Sequence, residues 1–211
     1  MDDDRELLEA WRAGDQQAGA RLISARSREI TWFFRNKVFD EHAVPDLVSQ
    51  TFLGCVSARD RFAGETSFRR FMYAIARNVL REYLRSVTKR RRERLDFEAV
   101  CVRSLQPRSL SSLQSDKHEV QALIEALRDV PIDDQIVLEL KYFEGLSGRE
   151  LGDALDLPEG TVRGRLSRGL SRLRASVQKQ LELGGSGRSE VSADDIDAWA
   201  AELRRLRGLT E

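Results

Sequence analysis

The amino-acid sequence predicts an all-α protein with two helical domains, a flexible linker between them and a short C-terminal helical extension. Apolar residues recur at helical spacing in both halves of the chain. No segment alternates between apolar and polar residues in the way that a half-buried strand does. Breaks rich in serine, glycine or proline separate the helical blocks, and 211 residues are enough for two small domains.

The first predicted domain covers residues 1–94. Amphipathic helical stretches fill residues 7–34, where leucine, isoleucine and aromatic residues recur on one side. A further helix is predicted over Asp46–Ala58, because Pro45 is tolerated at a helix start and an acidic residue is favourable beside the positive end of the helix dipole. A short break at residues 64–67 then precedes the most regular helix of the chain.

That helix carries an apolar stripe on one side and arginines on the other. The stripe consists of Phe68, Phe71, Met72, Ile75, Ala76, Val79, Leu80, Tyr83 and Leu84. The opposite side presents Arg70, Arg77, Arg81 and Arg85, with Tyr73 and Asn78 beside them. Most charged stripes are solvated surfaces, but here almost no glutamate balances the arginines, which favours a bound polyanion.

The distribution of charge supports the same interpretation, although the net charge is zero. Residues 69–94 contain ten basic and two acidic residues, and residues 161–179 contain six basic residues and no acidic one. The compensating acids lie at the N-terminus, along residues 129–156 and after residue 190. Segregated charge gives local basic faces, and a nucleic-acid backbone responds to the local field.

Residues 95–117 lose the helical periodicity and are predicted to form the linker. Residues 106–112 are rich in serine and contain a proline, which is typical of a connecting segment. A second helical domain is predicted over residues 118–183. The Gly-Gly-Ser-Gly run at residues 184–187 then predicts a flexible hinge.

Residues 184–211 form the predicted C-terminal extension. Ser192 and Asp195 have the spacing of a capping pair at the start of a helix. Because a helix this short is marginal in water, we expect Trp199 and Leu203 to pack on the protein's own domains or on a regulator. An inert tail is the alternative.

The most specific motif lies within residues 147–174 and consists of two helices joined by a tight turn. Ser147–Leu155 is the first helix, and Pro158 ends the turn because it biases the preceding residue away from helix. The second helix is predicted to turn Val162, Leu166, Leu173 and Val177 inward and Arg163, Arg165, Arg168, Arg172 and Arg174 outward. A basic second helix suits the DNA major groove, where arginine can bind guanine or phosphate, and a plain helical hairpin is the alternative.

Catalytic constellations are missing from the sequence. Cys55, Cys101, His42 and His118 have no metal-ligand spacing, and no phosphate-cradling glycine loop or Ser/His/Asp set occurs. We therefore expect no cofactor and no enzyme. No apolar run approaches the roughly 20 residues that span a bilayer, and the acidic start lacks the features of a secretory signal, so we expect a cytoplasmic protein without membrane insertion.

Two blocks together resemble a known family. The segments Asp46–Leu53, Arg61–Phe68 and Tyr73–Asn78 closely resemble the second conserved domain of bacterial RNA polymerase sigma factors of the sigma-70 family. Leu157–Arg168 resembles their fourth, DNA-binding domain. The spacing resembles that of the extracytoplasmic-function (ECF) class, which lacks the third domain, and the resemblance covers roughly residues 5–180.

For the first domain, the resemblance implies contacts with core polymerase and with the opened minus-ten element. The polymerase-binding candidates on the helix from Asp46 are Asp46, Leu47, Gln50 and Leu53. The minus-ten candidates are Gly64, Glu65, Thr66, Ser67, Arg70, Tyr73, Arg77, Asn78 and Arg81. In this scheme the loop captures a flipped base, arginines follow phosphates and an aromatic ring stacks on a base.

For the second domain, the resemblance implies recognition of the minus-thirty-five element. The candidate residues are Thr161, Arg163, Gly164, Ser167, Arg168 and Arg172. Gly164 departs from the serine or threonine common in the family, and Gly169 from the common alanine. Close approach to the DNA backbone or a merely loosened helix would each account for Gly164.

The implied partners are core RNA polymerase, through its β and β′ subunits, and promoter DNA, with an anti-sigma factor as a further candidate. A stand-alone helix-turn-helix regulator is the main alternative, although it gives no reason for the block over residues 46–78. A nucleic-acid-processing enzyme lacks its catalytic residues. A protein–protein adaptor leaves the two arginine faces unexplained.

Overall fold

The computed structural model describes residues 2–38, 40–58, 67–88, 95–105, 118–185 and 190–207. Within these ranges the elements are helices, and β pairing is limited to one isolated bridge between Cys101 and Pro131. The chain forms two compact units, Met1–Val87 with Asp153–Asp156, and Thr88–Gly152 with Leu157–Glu211. The predicted all-α class is confirmed.

The described helices of the first unit each start where the sequence allows. Its described elements are α1 (Asp2–Arg12), α2 (Gln16–Arg35), a 3₁₀ turn (Glu41–Ala43), α3 (Val44–Ala58) and α4 (Phe68–Thr88). The Asp15 carboxylate accepts hydrogen bonds from the backbone N–H groups of Gln17 and Ala18 and so caps α2. Helix α3 begins two residues before the predicted start at Asp46, and Pro45 occupies its first turn, where no N–H partner is needed.

The core of the first unit is built from the apolar side of α4. Phe68, Met72, Ala76, Leu80 and Leu84 are all buried, at a spacing of four residues. Leu22, Ile30 and Phe34 of α2 and Cys55 of α3 are completely buried as well. Gly19 of α2 leaves room for the indole of Trp11 on α1, because a Cβ at residue 19 would lie 2.5 Å from the indole nitrogen.

A buried carboxylate ties three helices of this unit together. Glu29 of α2 lies 2.6 Å from the Arg26 guanidinium and 2.9 Å from the guanidinium of Arg69 on α4. Arg26 also pairs with Asp4 of α1 at 2.6 Å. Since an unpaired buried charge is costly, the set is stable only with every member in place.

The second unit holds the rest of the described chain. Its helices are α5 (Val102–Leu105), α6 (His118–Leu127), α7 (Ile132–Tyr142), α8 (Gly148–Leu155, whose last residues are grouped with the first unit), α9 (Glu159–Leu183) and α10 (Ala193–Arg207). Helix α9 packs on α6 and α7. Leu123, Leu127, Val137, Leu140 and Val177 are completely buried and form this core.

Residues 95–105, predicted as the start of the linker, pack on the second unit. Phe97 and Val102 are buried, and the N–H groups of Ile132 and Asp133 donate to the carbonyl oxygens of Val100 and Phe97, each at 3.0 Å. Arg103 adds ion pairs with Glu125 and Asp129. The rest of the predicted linker, residues 106–117, lies outside the described residues.

The C-terminal extension docks on its own domain. Ile196, Ala200 and Leu203 of α10 are buried, and α10 packs on α6, α7 and α9. The predicted capping pair is confirmed, since Asp195 accepts from the Ser192 N–H at 2.8 Å and its own N–H donates to the Ser192 hydroxyl at 3.1 Å. Leu203 is buried as expected, whereas Trp199 is only half-buried. The described part of the tail is therefore packed on its own domain.

Candidate nucleic-acid interface

Helices α8 and α9 form the predicted helix-turn-helix. Helix α8 starts at a capping box, in which Glu150 accepts from the Ser147 N–H at 2.7 Å and the Ser147 hydroxyl accepts from the Glu150 N–H at 3.3 Å. The turn passes through Asp156 with a φ of 52°, and the Leu157 N–H closes it onto the Gly152 carbonyl oxygen at 2.9 Å. Gly152 permits this turn because a Cβ there would lie 2.9 Å from the Leu157 carbonyl oxygen.

One side of α9 collects the predicted minus-thirty-five residues, and we call it the recognition face. Thr161, Arg163, Ser167, Arg168 and Arg172 are exposed on it, and Gly164 is half-exposed between them. The opposite side buries Val162, Leu173 and Val177 against the core, as predicted, and Leu166 is half-buried. The structure thus brings all six candidates onto one surface of a single helix, at the dimensions that a major groove admits.

Arg165 does not face outward, so that part of the prediction is wrong. Arg165 is 5% exposed. Its guanidinium lies 2.9 Å from the carboxylate of the buried Asp133 and also pairs with Glu98. Because one full charge pair is removed from water here, Arg165 holds α9 against α7 and cannot reach DNA.

Arg172 divides its charge between the recognition face and the core. Its side chain is about half exposed, and Nη1 lies 2.8 Å from an Asp134 carboxylate oxygen. Burial raises the pKa of Asp134 above its ordinary value, and the nearby Arg172, Arg168 and Arg165 charges oppose that shift. The recognition helix is therefore held electrostatically on its inner side and positively charged on its outer side.

Gly164 and Gly169 of α9 have different surroundings. A Cβ at Gly169 would lie 3.2 Å from Leu138 and 3.3 Å from the Asp134 Cβ, so Gly169 allows α9 to approach α7 closely. A Cβ at Gly164 would meet only the flexible guanidinium end of Arg168, at 3.2 Å. Gly164 leaves room on the recognition face for the Arg168 side chain.

Helix α3 presents the predicted polymerase-binding surface with one exception. Asp46, Gln50 and Leu53 lie on one exposed side, where the Gln50 amide donates to Asp46 at 2.6 Å and Leu53 is 64% exposed. Leu47 is buried in the core of the first unit and is not part of that surface. Val56, which continues the same side one turn later, is 40% exposed and was missed; its spacing of three from Leu53 was the available signal.

The predicted minus-ten residues differ in how far they are exposed. Asn78 is exposed and Arg70, Arg77 and Arg81 are half-buried, whereas Gly64, Glu65 and Thr66 lie outside the described residues. The Ser67 hydroxyl accepts from the Arg70 N–H at 3.4 Å, at the start of α4. Tyr73 is 1% exposed, with its ring 5.7 Å from that of Phe33, so the stacking role predicted for Tyr73 finds no support in this placement.

Comparisons with known proteins agree with both halves of the molecule. Residues 22–91 match the model of sigma-70 region 2, and residues 120–173 match the model of sigma-70 region 4, so the two segments cover more than half of the chain. The chain is 25% identical over 184 residues to the ECF RNA polymerase sigma-E factor of Haemophilus influenzae, covering 83% of this chain and 95% of that protein. It is 27% identical over 182 residues to the Escherichia coli K12 protein of the same name, covering 83% and 94%.

Solved structures show the same fold. The structure of CnrH in complex with the cytosolic domain of CnrY matches with a TM-score of 0.62 and 22% identity, covering 84% of this chain and 98% of that one. The Bartonella quintana sigma factor RpoE in complex with the anti-sigma factor NepR matches with a TM-score of 0.56 and 17% identity, covering 78% and 97%. No described helix is long and apolar enough to cross a membrane. With the two family segments in order along the chain, and relatives of one name covered almost end to end, this chain belongs to the sigma-70 family of RNA polymerase sigma factors, in the ECF class.

Proposed function

We propose that this chain binds core RNA polymerase through α3 and directs it to promoters whose minus-thirty-five element is bound by the recognition face of α9. The observation that carries the proposal is that face, where three arginines and two hydroxyl side chains project from the second helix of a helix-turn-helix. Arginine can make bidentate contacts with guanine in the major groove, and hydroxyls can bind phosphate or base edges.

The minus-ten element is assigned to the first unit on the family resemblance and on the charge of α4. Arg77 and Arg81, with the exposed Asn78, would follow the phosphates of the opened strand. Such work is binding and not catalysis, so we propose a non-enzymatic subunit that acts in the cytoplasm, where RNA polymerase works. An anti-sigma factor is a proposed regulator, since CnrH and RpoE were each solved with another protein bound.

Run-off transcription tests the proposal. Purified core polymerase is combined with genomic fragments and either the wild-type chain, Asp46→Ala, Arg168→Ala or the control Arg5→Ala, which changes an exposed ion pair of α1. Discrete start sites should appear with the wild type and the control. They should weaken for Arg168→Ala at promoters that share a minus-thirty-five sequence, and for Asp46→Ala at all promoters, with less polymerase bound.

Tight operator binding by the free chain without any core-dependent transcript would contradict the proposal and would favour a stand-alone helix-turn-helix regulator. A loss for Arg168→Ala that is uniform over every promoter and over random DNA would remove the base-specific role of Arg168 alone.

A further inference from the structure

The segment that leads into α10 lies on the surface of α9. The Arg174 Nε–H donates to the Val191 carbonyl oxygen at 2.8 Å, and the same guanidinium lies 3.5 Å from the Glu190 carboxylate. Val191 is buried, which anchors the segment, whereas the Glu190 side chain is 83% exposed. Arg174, predicted from the sequence to face outward for DNA, is engaged by the chain's own tail.

The tail lies on the same side of α9 as the recognition face. Gly164, Arg168, Ser171, Ala175 and Gln178 follow one another at spacings of four and three, which is a single row along an α-helix. The far end of that row, together with the tail, lines a shallow cavity of about 230 Å³ formed by Ser171, Arg174, Ala175, Gln178, Glu190 and Val191. Helical rise puts Arg174 about 9 Å beyond Arg168 along the axis.

This arrangement changes the field that a DNA backbone meets. A free Arg174 would add a cation beside the recognition face. Each additional phosphate that a cation neutralises raises the affinity for DNA of every sequence alike and makes that affinity more dependent on salt. Here the tail holds that cation and places the Glu190 carboxylate beside it, on the same side of α9 as Arg168. Both effects weaken contacts with phosphate and leave contacts with base edges unchanged.

The sigma-70 region 4 match ends at residue 173, so Arg174 and the tail lie outside the two matched family segments.

We propose that Glu190, through its contact with Arg174, is a specificity-determining residue that raises the ratio of promoter binding to non-specific DNA binding. The inference rests on the proposed function, because it needs the recognition face of α9 to bind the minus-thirty-five element. Its effect is on discrimination and not on the identity of the preferred sequence.

The test compares Glu190→Gln with Asp197→Asn in the full-length chain. Asp197 is exposed on α10 and is not part of the cavity lining, so the control removes the same charge elsewhere. Fluorescence anisotropy measures binding to a random-sequence duplex and to a promoter duplex from the run-off assay, between about 50 and about 200 mM salt. Thermal unfolding of both variants checks that neither change disturbs the fold.

Glu190→Gln should bind the random duplex about 2–5-fold more tightly at the low salt, with a salt slope steeper by up to about 0.9, and promoter binding should change less. Adding Arg174→Gln should remove most of that gain. Equal behaviour of Glu190→Gln and Asp197→Asn, or a gain that persists without Arg174, would overturn the proposal. Failure of the proposed function would instead appear as absent core-dependent transcripts and no promoter preference in the wild-type chain.

Discussion

Arg163 and Arg165 stand two positions apart on α9 and occupy opposite environments. Arg163 is exposed on the recognition face, whereas Arg165 is buried beside Asp133, whose side chain is 1% exposed. Arg165→Met should lower the free energy of unfolding by about 3–5 kcal/mol, because it leaves a buried carboxylate without its cation. Chemical denaturation followed by circular dichroism measures this loss.

Arg163→Met is the matched control, since it removes the same charge from the same helix. It should leave the free energy of unfolding within about 0.5 kcal/mol of wild type and weaken promoter binding. Equal stability losses for the two variants would show that burial of Arg165 does not distinguish them in solution.

Gly164 and Gly169 permit a second comparison within α9. Gly164→Ala should stabilise the protein by about 0.5–1 kcal/mol, because alanine lowers the conformational entropy cost of the helix and only a flexible guanidinium end must move. Gly169→Ala meets Leu138 and the Asp134 Cβ at 3.2–3.3 Å, so overpacking should cancel or reverse that gain. The denaturation midpoints of the two variants measure these changes in stability. A larger gain in stability for Gly169→Ala than for Gly164→Ala would contradict the close approach of α9 and α7.

At the scale of the helices, periodicity predicted the elements well and the edges of their faces poorly. The apolar stripe of α4 and the two helices around Pro158 follow directly from residue spacing. The sequence predicted Tyr73 beside the arginine face of α4 and Arg165 on the outward side of α9, and both are buried. Their burial depends on partners far away in sequence, Glu29 for Tyr73 and Glu98 and Asp133 for Arg165, and spacing along one helix carries no information on such pairs.

Helix α3 shows the same limit. Leu47 and Leu53 are both leucines of α3, and only the packing of α3 on its neighbours shows that one is core and the other surface. The capping pair of α10, by contrast, was predictable because a helix start is set by residues three apart.

Helix α3 therefore carries a prediction that separates binding from folding. Leu53→Ser should reduce the affinity for core polymerase by about tenfold or more, as expected for an exposed apolar contact residue, and should leave stability almost unchanged. Leu47→Ala should cost about 2–5 kcal/mol of unfolding free energy through a core cavity. Co-purification with core polymerase and thermal unfolding give the two readouts. A stable Leu53→Ser variant that binds core polymerase normally would remove α3 from the proposed interface.

At the scale of the whole molecule, the net charge is zero although basic and acidic residues are concentrated in different segments. Basic residues concentrate on α4 and α9, and acidic residues concentrate in the tail, at the start of α1 and along α7. Neutrality overall limits non-specific attraction to nucleic acid, while the local basic faces remain available to a correctly placed backbone. Composition alone shows the balance but not this arrangement, which depends on which residues each core buries.

Each compact unit has its own core and its own cysteine, which allows their stabilities to be measured separately. Cys55 is completely buried in the first unit, where burial raises its pKa to about 12, and Cys101 is half-buried in the second. A thiol reacts as the thiolate, so Cys55 is alkylated only when the first unit opens.

Ile196→Ala in α10 should lower the unfolding free energy of the second unit by about 2–4 kcal/mol, because Ile196 is completely buried. Timed alkylation in moderate denaturant, followed by mass spectrometry, should show faster labelling of Cys101 and an unchanged rate at Cys55. Parallel acceleration at both cysteines would mean that the two units unfold as one, and unchanged rates at both would mean that α10 contributes no stability.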